Sequence, residues 1–259
     1  VERVEKAWGE IFTPEELEAA LSRKKYKLLA IVHGETSTGA VQTRVDEIAN
    51  AAHKHGALLV LDTVASLGGV PIDVDGWDVD ICYTGSQKCL SAPPGLAPIT
   101  VSPRAWEVLE KRETPVANWY LDIKGINRYW GDSPAYHHTG PSNMIFALRE
   151  SLRMVAEEGL ENQMARHRAN AELLWEGLEE LGIPPRAPLE YRLASLTTAQ
   201  LNDSIDEAAV RAKLLNEYNV EIVGGFGPLA GQIWRIGLMG YSSRRENVEL
   251  LLALLKKLI

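Results

Sequence analysis

Two short, unbroken apolar runs, Leu28-Leu29-Ala30-Ile31-Val32 and Ala57-Leu58-Leu59-Val60-Leu61, read as strands buried on both faces, as in a parallel sheet. Between them, residues 45–55 carry apolar side chains at helical spacing and stop at Gly56, which predicts an amphipathic helix. Ahead of both, Thr13, Pro14 and Glu16 make a capping-box signature that opens a helix to about Leu21. Strand signals return at 80–83 and 97–101, and Pro103 opens a helix to about Lys111. The stretch 118–130 is aromatic and irregular, which suggests packing against another subunit or domain. Helical spacing then runs over 143–158 and, after Gly159, to about Leu181, where Gly182-Ile183-Pro184-Pro185 closes it. A strand at 196–199, a helix over 206–218, strands at 220–223 and 233–236 and a helix over 244–258 make the remainder a compact α+β unit. The expected organisation is α/β: a mostly parallel sheet unit over 1–141, connecting long helices over 142–182 and a small C-terminal α+β unit over 183–259.

The candidate chemistry lies just beyond these runs. Asp62 ends one of them and leads into Thr63-Val64-Ala65-Ser66-Leu67-Gly68-Gly69, where small residues let a ligand approach the backbone. Lys88 sits in Gly85-Ser86-Gln87-Lys88-Cys89-Leu90-Ser91-Ala92-Pro93-Pro94-Gly95, between an apolar run and a turn that continues neither helix nor strand. A carboxylate and an amine at the carboxyl ends of two strands, one crossover apart, is the arrangement of a ligand crevice in an open α/β sheet. Taken singly, Asp62 could equally cap a following helix, and Lys88 could be a surface lysine beside a turn. Arg235 alternates with apolar neighbours in a strand, so it is either an interdomain ion pair or a carboxylate clamp.

Five separated stretches carry a family likeness. They are His33-Gly34-Glu35-Thr36-Ser37-Thr38-Gly39, Leu61-Asp62-Thr63-Val64-Ala65-Ser66-Leu67-Gly68-Gly69, Gly85-Ser86-Gln87-Lys88, Tyr136-His137-His138-Thr139 and Trp234-Arg235-Ile236-Gly237. In this order the chain resembles the class V pyridoxal-phosphate-dependent aminotransferases of the alanine–glyoxylate and serine–pyruvate type. The resemblance implies the fold type I architecture, with 1–141 as the remainder of the large cofactor-binding domain. It implies pyridoxal 5'-phosphate as cofactor, bound covalently by Lys88, whose freed amine would later move the substrate's α-proton. Asp62 would pair with the ring nitrogen and keep it protonated. By the same resemblance Thr36 would lie near the cofactor's phenolic oxygen and Gln87 near its phosphate or ring edge. Tyr136 and Thr139 would reach across a homodimer interface to the partner's cofactor phosphate. For Arg235 the resemblance favours the clamp. The implied reaction is ping-pong transamination between a small L-amino acid, alanine or serine, and glyoxylate or pyruvate.

The family also has, ahead of this point, about a hundred further residues, a typical domain's worth, with a phosphate loop and an aromatic stacked on the pyridine. Neither can be placed in this sequence, so two alternatives stay open: a separate N-terminal segment supplies them as a partner, or that front is simply not part of this chain. Gly224-Gly225-Phe226-Gly227-Pro228-Leu229-Ala230-Gly231 is no substitute, because a phosphate loop needs a helix N-terminus behind it.

Composition changes the picture only by exclusion. With 259 residues, a formal charge of -8 and a pI near 5.4, the chain is not expected to bind nucleic acid or an anionic membrane. No apolar run approaches the roughly 20 residues of a bilayer span, and the start, Val1 to Lys6, lacks the apolar core of a secretory signal. Cys82 and Cys89 make neither a disulfide framework nor a metal-ligand spacing, and His137 and His138 lack a third ligand, so no metal is expected and the cytoplasm is the default compartment. Three readings stay open: an aminotransferase, a catalytically silent scaffold or half of a split enzyme, and another pyridoxal-phosphate enzyme such as a lyase.

Overall fold

In the computed structural model, which describes residues 1–259, the capping box forms as its residues dictate. Thr13 accepts from the Glu16 N–H, the Glu16 carboxylate accepts from the Thr13 N–H, and α1 (Pro14–Leu21) follows. Next come β1 (Leu28–Val32), a small hairpin of β2 (Gly34–Glu35) and β3 (Ala40–Val41), α2 (Val45–Lys54), β4 (Leu58–Asp62), β5 (Ile81–Tyr83), β6 (Ile99–Val101) and α3 (Pro103–Glu110). The order in the sheet is β1-β4-β5-β6, with the first three strands parallel and β6 antiparallel. Leu59 and Leu61 pack beneath Val45, Ile48 and Ala49 of α2 and Leu17 of α1. Each such large side chain contributes about 1.5–3 kcal/mol on burial. Both edge strands stay open and apolar: Leu28, Val32 and Ile99 are 53%, 41% and 48% exposed.

Register decides where the chemistry goes. Val32 pairs with Asp62 and Asp62 with Tyr83, so the three parallel strands end level with one another. The opposite end of the sheet is fastened by Asp80, whose side chain is wholly buried. Its Oδ2 accepts from the Leu59 N–H (2.8 Å) and pairs with His53 Nε2 (2.7 Å); its Oδ1 accepts from Ser102 Oγ and Arg104 Nη1 (both 2.9 Å). One carboxylate thus ties β4, β5, α2 and α3.

His33, directly after β1, is buried against Trp77 and shares a 2.9 Å hydrogen bond between its Nδ1 and Ser66 Oγ. Burial pushes its imidazole down to about 4. Because the folded value lies below the unfolded value of about 6.5, the contribution is whole above pH 6.5 and is lost as pH falls through about 4, some 3 kcal/mol in all. His167 is pushed in the same direction by burial, and protonation would cost its Nε2 the N–H of Gly240. Urea unfolding at about pH 7 and about pH 5 is expected to show a marked loss that His33→Asn reduces by about 2 kcal/mol. An unchanged pH dependence in that variant contradicts the assignment.

The second half of the chain contains α4 (Ile123–Trp130), α5 (Ser142–Glu158), α6 (Leu160–Glu180), β7 (Leu196–Gln200), α7 (Glu207–Tyr218), β8 (Val223–Gly224), β9 (Ile233–Gly237) and α8 (Arg245–Leu258). The antiparallel sheet β7-β9-β8 packs Trp234 and Ile236 against Leu174 and Leu178 of α6, Leu214 of α7 and Leu255 of α8. No helix is long and apolar enough to cross a membrane.

Three local expectations need correction. The stretch 118–130 is ordered rather than irregular: Asn118 caps a 3-10 turn and Asp122 caps α4, a signal carried by side-chain oxygens rather than by apolar period. The strand expected at 220–223 starts only at Val223. Asn219 takes the left-handed conformation (φ 55°) and the Val220 N–H bonds back to Leu214 O, so those residues finish α7 instead of joining β9. The run Leu28–Val32, expected to be buried on both faces, is an edge strand with Ile31 its one buried residue, because no strand pairs with its outer side.

Candidate active site

Asp62 is the last residue of β4, half-buried, and no helix follows it. The helix-cap alternative is therefore excluded. Its carboxylate instead closes a local turn, with Oδ1 accepting from the Val64 N–H at 2.9 Å, while Oδ2 accepts from Tyr83 Oη at 2.7 Å. The loop behind it is packed tightly: a Cβ on Gly69 would meet Cys89 Sγ at 2.7 Å, and Gly68 has φ 84°. Only glycine fits both demands.

Lys88 lies five positions beyond β5, in a loop held by its neighbours. Ser86 Oγ donates to Pro93 O (2.7 Å), and the Ala92 N–H closes on Ser86 O (3.0 Å). From α6, the buried amide of Gln163 donates to Gly68 O (2.8 Å) and Cys89 O (3.2 Å), fastening the Asp62 loop to the Lys88 loop. From α5, Ser151 donates to Leu90 O. The backbone around Lys88 is fixed on three sides, yet its half-buried amine has neither an ion pair nor a hydrogen bond. That is unlike a lysine serving as a surface ion-pair partner. Cys89, by contrast, is buried, and burial pushes its thiol up to about 11, which removes it as a thiolate nucleophile.

Thr36 lies in the turn of the β2–β3 hairpin, half-buried, four positions past β1. The hairpin is anchored by Thr198 Oγ1 donating to Thr38 O (2.7 Å) and by the Leu193 N–H donating to Gly39 O (2.8 Å). Gln87 is exposed and folds over Gly85. So Thr36, Asp62, Gln87 and Lys88 all lie at or beyond the carboxyl ends of the parallel strands, where an open α/β sheet presents its crevice, and Gln163 fastens the loop after Asp62 to the loop carrying Lys88. A groove of about 960 Å³ lined by Leu28, Leu58, Ile81 and Arg104 opens at the other end of these strands and carries none of these residues.

Tyr136 and Thr139 are not brought to this crevice within the chain. They are exposed and bond to each other (Oη to Oγ1, 2.8 Å). Arg235, on β9, has no carboxylate partner, which removes the ion-pair alternative within the chain. Its Nε donates to Gly224 O (2.9 Å), and its guanidinium lies 5.1 Å from the Phe226 ring centroid. Trp8 meets Phe226 edge-on (5.7 Å). Both Nη groups are left without a partner in the chain.

The sequence pattern of the aminotransferase class-V family matches residues 1–251. The chain belongs to that family. Within the class-V aminotransferases it is 38% identical over 271 residues to the (S)-ureidoglycine–glyoxylate transaminase of Bacillus subtilis (strain 168), covering 98% of this chain and 65% of that protein. It is 39% identical over 246 residues to the alanine–glyoxylate aminotransferase of Mus musculus, covering 93% and 59%. The crystal structure of an alanine–glyoxylate aminotransferase from Nostoc sp. superposes with a TM-score of 0.95 at 49% identity, covering 98% of this chain and 67% of that one. The chain thus spans less than two thirds of the curated relatives it matches, and its architecture is the fold type I α/β arrangement of these structural relatives.

Sequence reasoning did not single out two residues that touch the candidate site, Tyr83 on the Asp62 carboxylate and Gln163 between the two loops. Neither carried a signal, because each acts through a register or a long-range packing contact that only the fold supplies.

Proposed function

We propose that this chain carries out pyridoxal-phosphate-dependent transamination between a small L-amino acid, alanine or serine, and glyoxylate or pyruvate. The observation that carries the reading is the unpaired Lys88 amine on a loop that Gln163 fastens to the loop following Asp62. The donor set fits the cofactor: a free amine for its aldehyde, an acceptor for its protonated ring nitrogen, and glycine-lined backbone for close approach. Bound there, pyridoxal phosphate would supply the electron sink for the substrate's α-carbon. The chain's own groups supply the rest. Lys88 holds the cofactor, is displaced by the amino donor, and moves the proton at the α-carbon. With the cofactor bound, Asp62 would keep the ring nitrogen protonated, Thr36 would serve the phenolic oxygen, and Gln87 would serve the ring edge or phosphate.

Arg235 clamps the substrate carboxylate with the two Nη groups that the chain leaves free. The unit over 183–259 then delivers substrate to the cofactor-holding unit over 1–141. Arg235→Lys is expected to raise KM for the amino donor about ten- to a hundredfold, with a smaller change in kcat, since a hydrogen bond to a charged group is worth about 1.5–3 kcal/mol. Equal KM in the two proteins would remove Arg235 from the substrate site.

The exposed aromatic surface of Trp119, Trp130, Tyr136 and Phe146 supports a homodimer in which Tyr136 and Thr139 serve the partner's site. The open edges of β1 and β6 offer pairing to polypeptide corresponding to the unmatched third of the relatives. The reading is tested by initial rates with alanine or serine as donor and glyoxylate or pyruvate as acceptor. Parallel-line kinetics support it, and the absence of amino transfer with every pair contradicts it.

A further inference from the structure

Asp62 and Tyr83 face each other across neighbouring parallel strands, at the last ladder pair before both chains turn into loops. Directly paired residues project to the same face, so the phenol reaches the carboxylate without backbone adjustment. The 2.7 Å contact to Asp62 Oδ2 is the only hydrogen bond the Tyr83 hydroxyl makes. Burial, followed by the neighbouring carboxylate, pushes the phenol up to about 12, so the hydroxyl stays a donor through the physiological range. On the other side, the Val64 N–H fixes Oδ1. A carboxylate offers about four acceptor sites, so two are taken and two remain for donors from the crevice. The terminal torsion of an aspartate is otherwise broad and roughly two-fold. With only Val64 holding it, the carboxylate could turn its free lone pairs away from the ring.

We propose that Tyr83 is a positioning residue for Asp62, its hydroxyl locking the rotation of the carboxylate so that one of its remaining acceptor sites faces the pyridine nitrogen of the bound cofactor. The proposal rests on the reading of Asp62 as the partner of that nitrogen. A phenylalanine at position 83 would fill the same space and keep the strand pairing, but could not hold the carboxylate. The hydroxyl is thus a functional addition to a packing position.

The test titrates pyridoxal 5'-phosphate against the wild-type chain, Tyr83→Phe, Asp62→Ala and the double variant. Visible absorption gives Kd, and visible circular dichroism reports the fixed orientation of the bound ring. Tyr83→Phe is expected to raise Kd roughly three- to tenfold, less than the loss of a direct hydrogen bond to a charged group because the phenol does not itself touch the cofactor. It should also reduce the visible dichroism, and both effects should vanish in the Asp62→Ala background, as coupled residues require. The thermal unfolding midpoint of the cofactor-free Tyr83→Phe chain should fall by only a few degrees, since one hydrogen bond but no apolar contact is lost. If Tyr83→Phe is silent while Asp62→Ala weakens binding, the positioning role is overturned and the cofactor reading stands. If Tyr83→Phe acts equally in both backgrounds, its role is structural and the proposal also fails. Unchanged affinity in Asp62→Ala would overturn the reading of Asp62 itself, and this proposal with it.

Discussion

Lys88→Ala is expected to abolish covalent capture of the cofactor and to lower transamination at least about a thousandfold, because both the nucleophile and the proton-moving amine are removed. The argument rests on what surrounds the side chain. The loop carrying Lys88 is held by Ser86, Gln163 and Ser151, while the amine itself is tied to nothing. A lysine kept for stability would be expected to have a carboxylate, and in this structure it has none. Exposed ion pairs are in any case worth only about 0–1 kcal/mol, so the fold should survive the change. After borohydride treatment of the cofactor-loaded chain, mass spectrometry should find the label on the Lys88 peptide in wild type and nowhere in the variant. A label on another lysine would relocate the site.

The largest effect on stability is expected from Asp80→Ala, about 3–5 kcal/mol, the usual result of breaking a buried, fully hydrogen-bonded charge network from one side. Burial alone would push the Asp80 carboxyl up, but the hydrogen bonds from His53, the Leu59 N–H and Ser102 outweigh it and hold it below the usual carboxylate value. The folded value lies below the unfolded value of about 3.9, so the contribution is complete above pH 4 and is lost as pH falls through the lower, folded value. Asp80→Asn keeps the shape and some hydrogen bonds but leaves Arg104 without its buried counter-charge, and should fall between wild type and Asp80→Ala. Urea unfolding near neutral pH checks the order. A loss of under about 1 kcal/mol in Asp80→Ala would show that the network is neutral in net effect.

How much of this was legible in the sequence depends on the range of the interaction. The α1 capping box and the apolar runs that became β1 and β4 are local or periodic signals, and the structure follows their bounds to within a residue or two, although the burial expected of β1 is missing because it lies at a sheet edge. Asp62 and Lys88 could be singled out because each ends or follows such a run beside glycines and prolines. What the sequence lacked was register. Nothing in the residues around Tyr83 says that it would sit opposite Asp62, and nothing near Gln163 says that its amide would join two loops more than seventy positions away. The α4 region was obscure for another reason: its order comes from Asn118 and Asp122 as caps, while apolar spacing across its aromatics is poor. The ion-pair reading of Arg235 lost its in-chain partner only when β9 placed the side chain beside Gly224 and Phe226 rather than beside an acid.

The central claim, that Lys88 and Asp62 form a working transamination site, is tested most directly by the visible spectrum of the purified chain loaded with pyridoxal 5'-phosphate. The account predicts an absorption band that is lost on adding L-alanine and restored by glyoxylate, one half-reaction in each direction. A band that persists unchanged in excess alanine and excess serine, or no band at all, would contradict it.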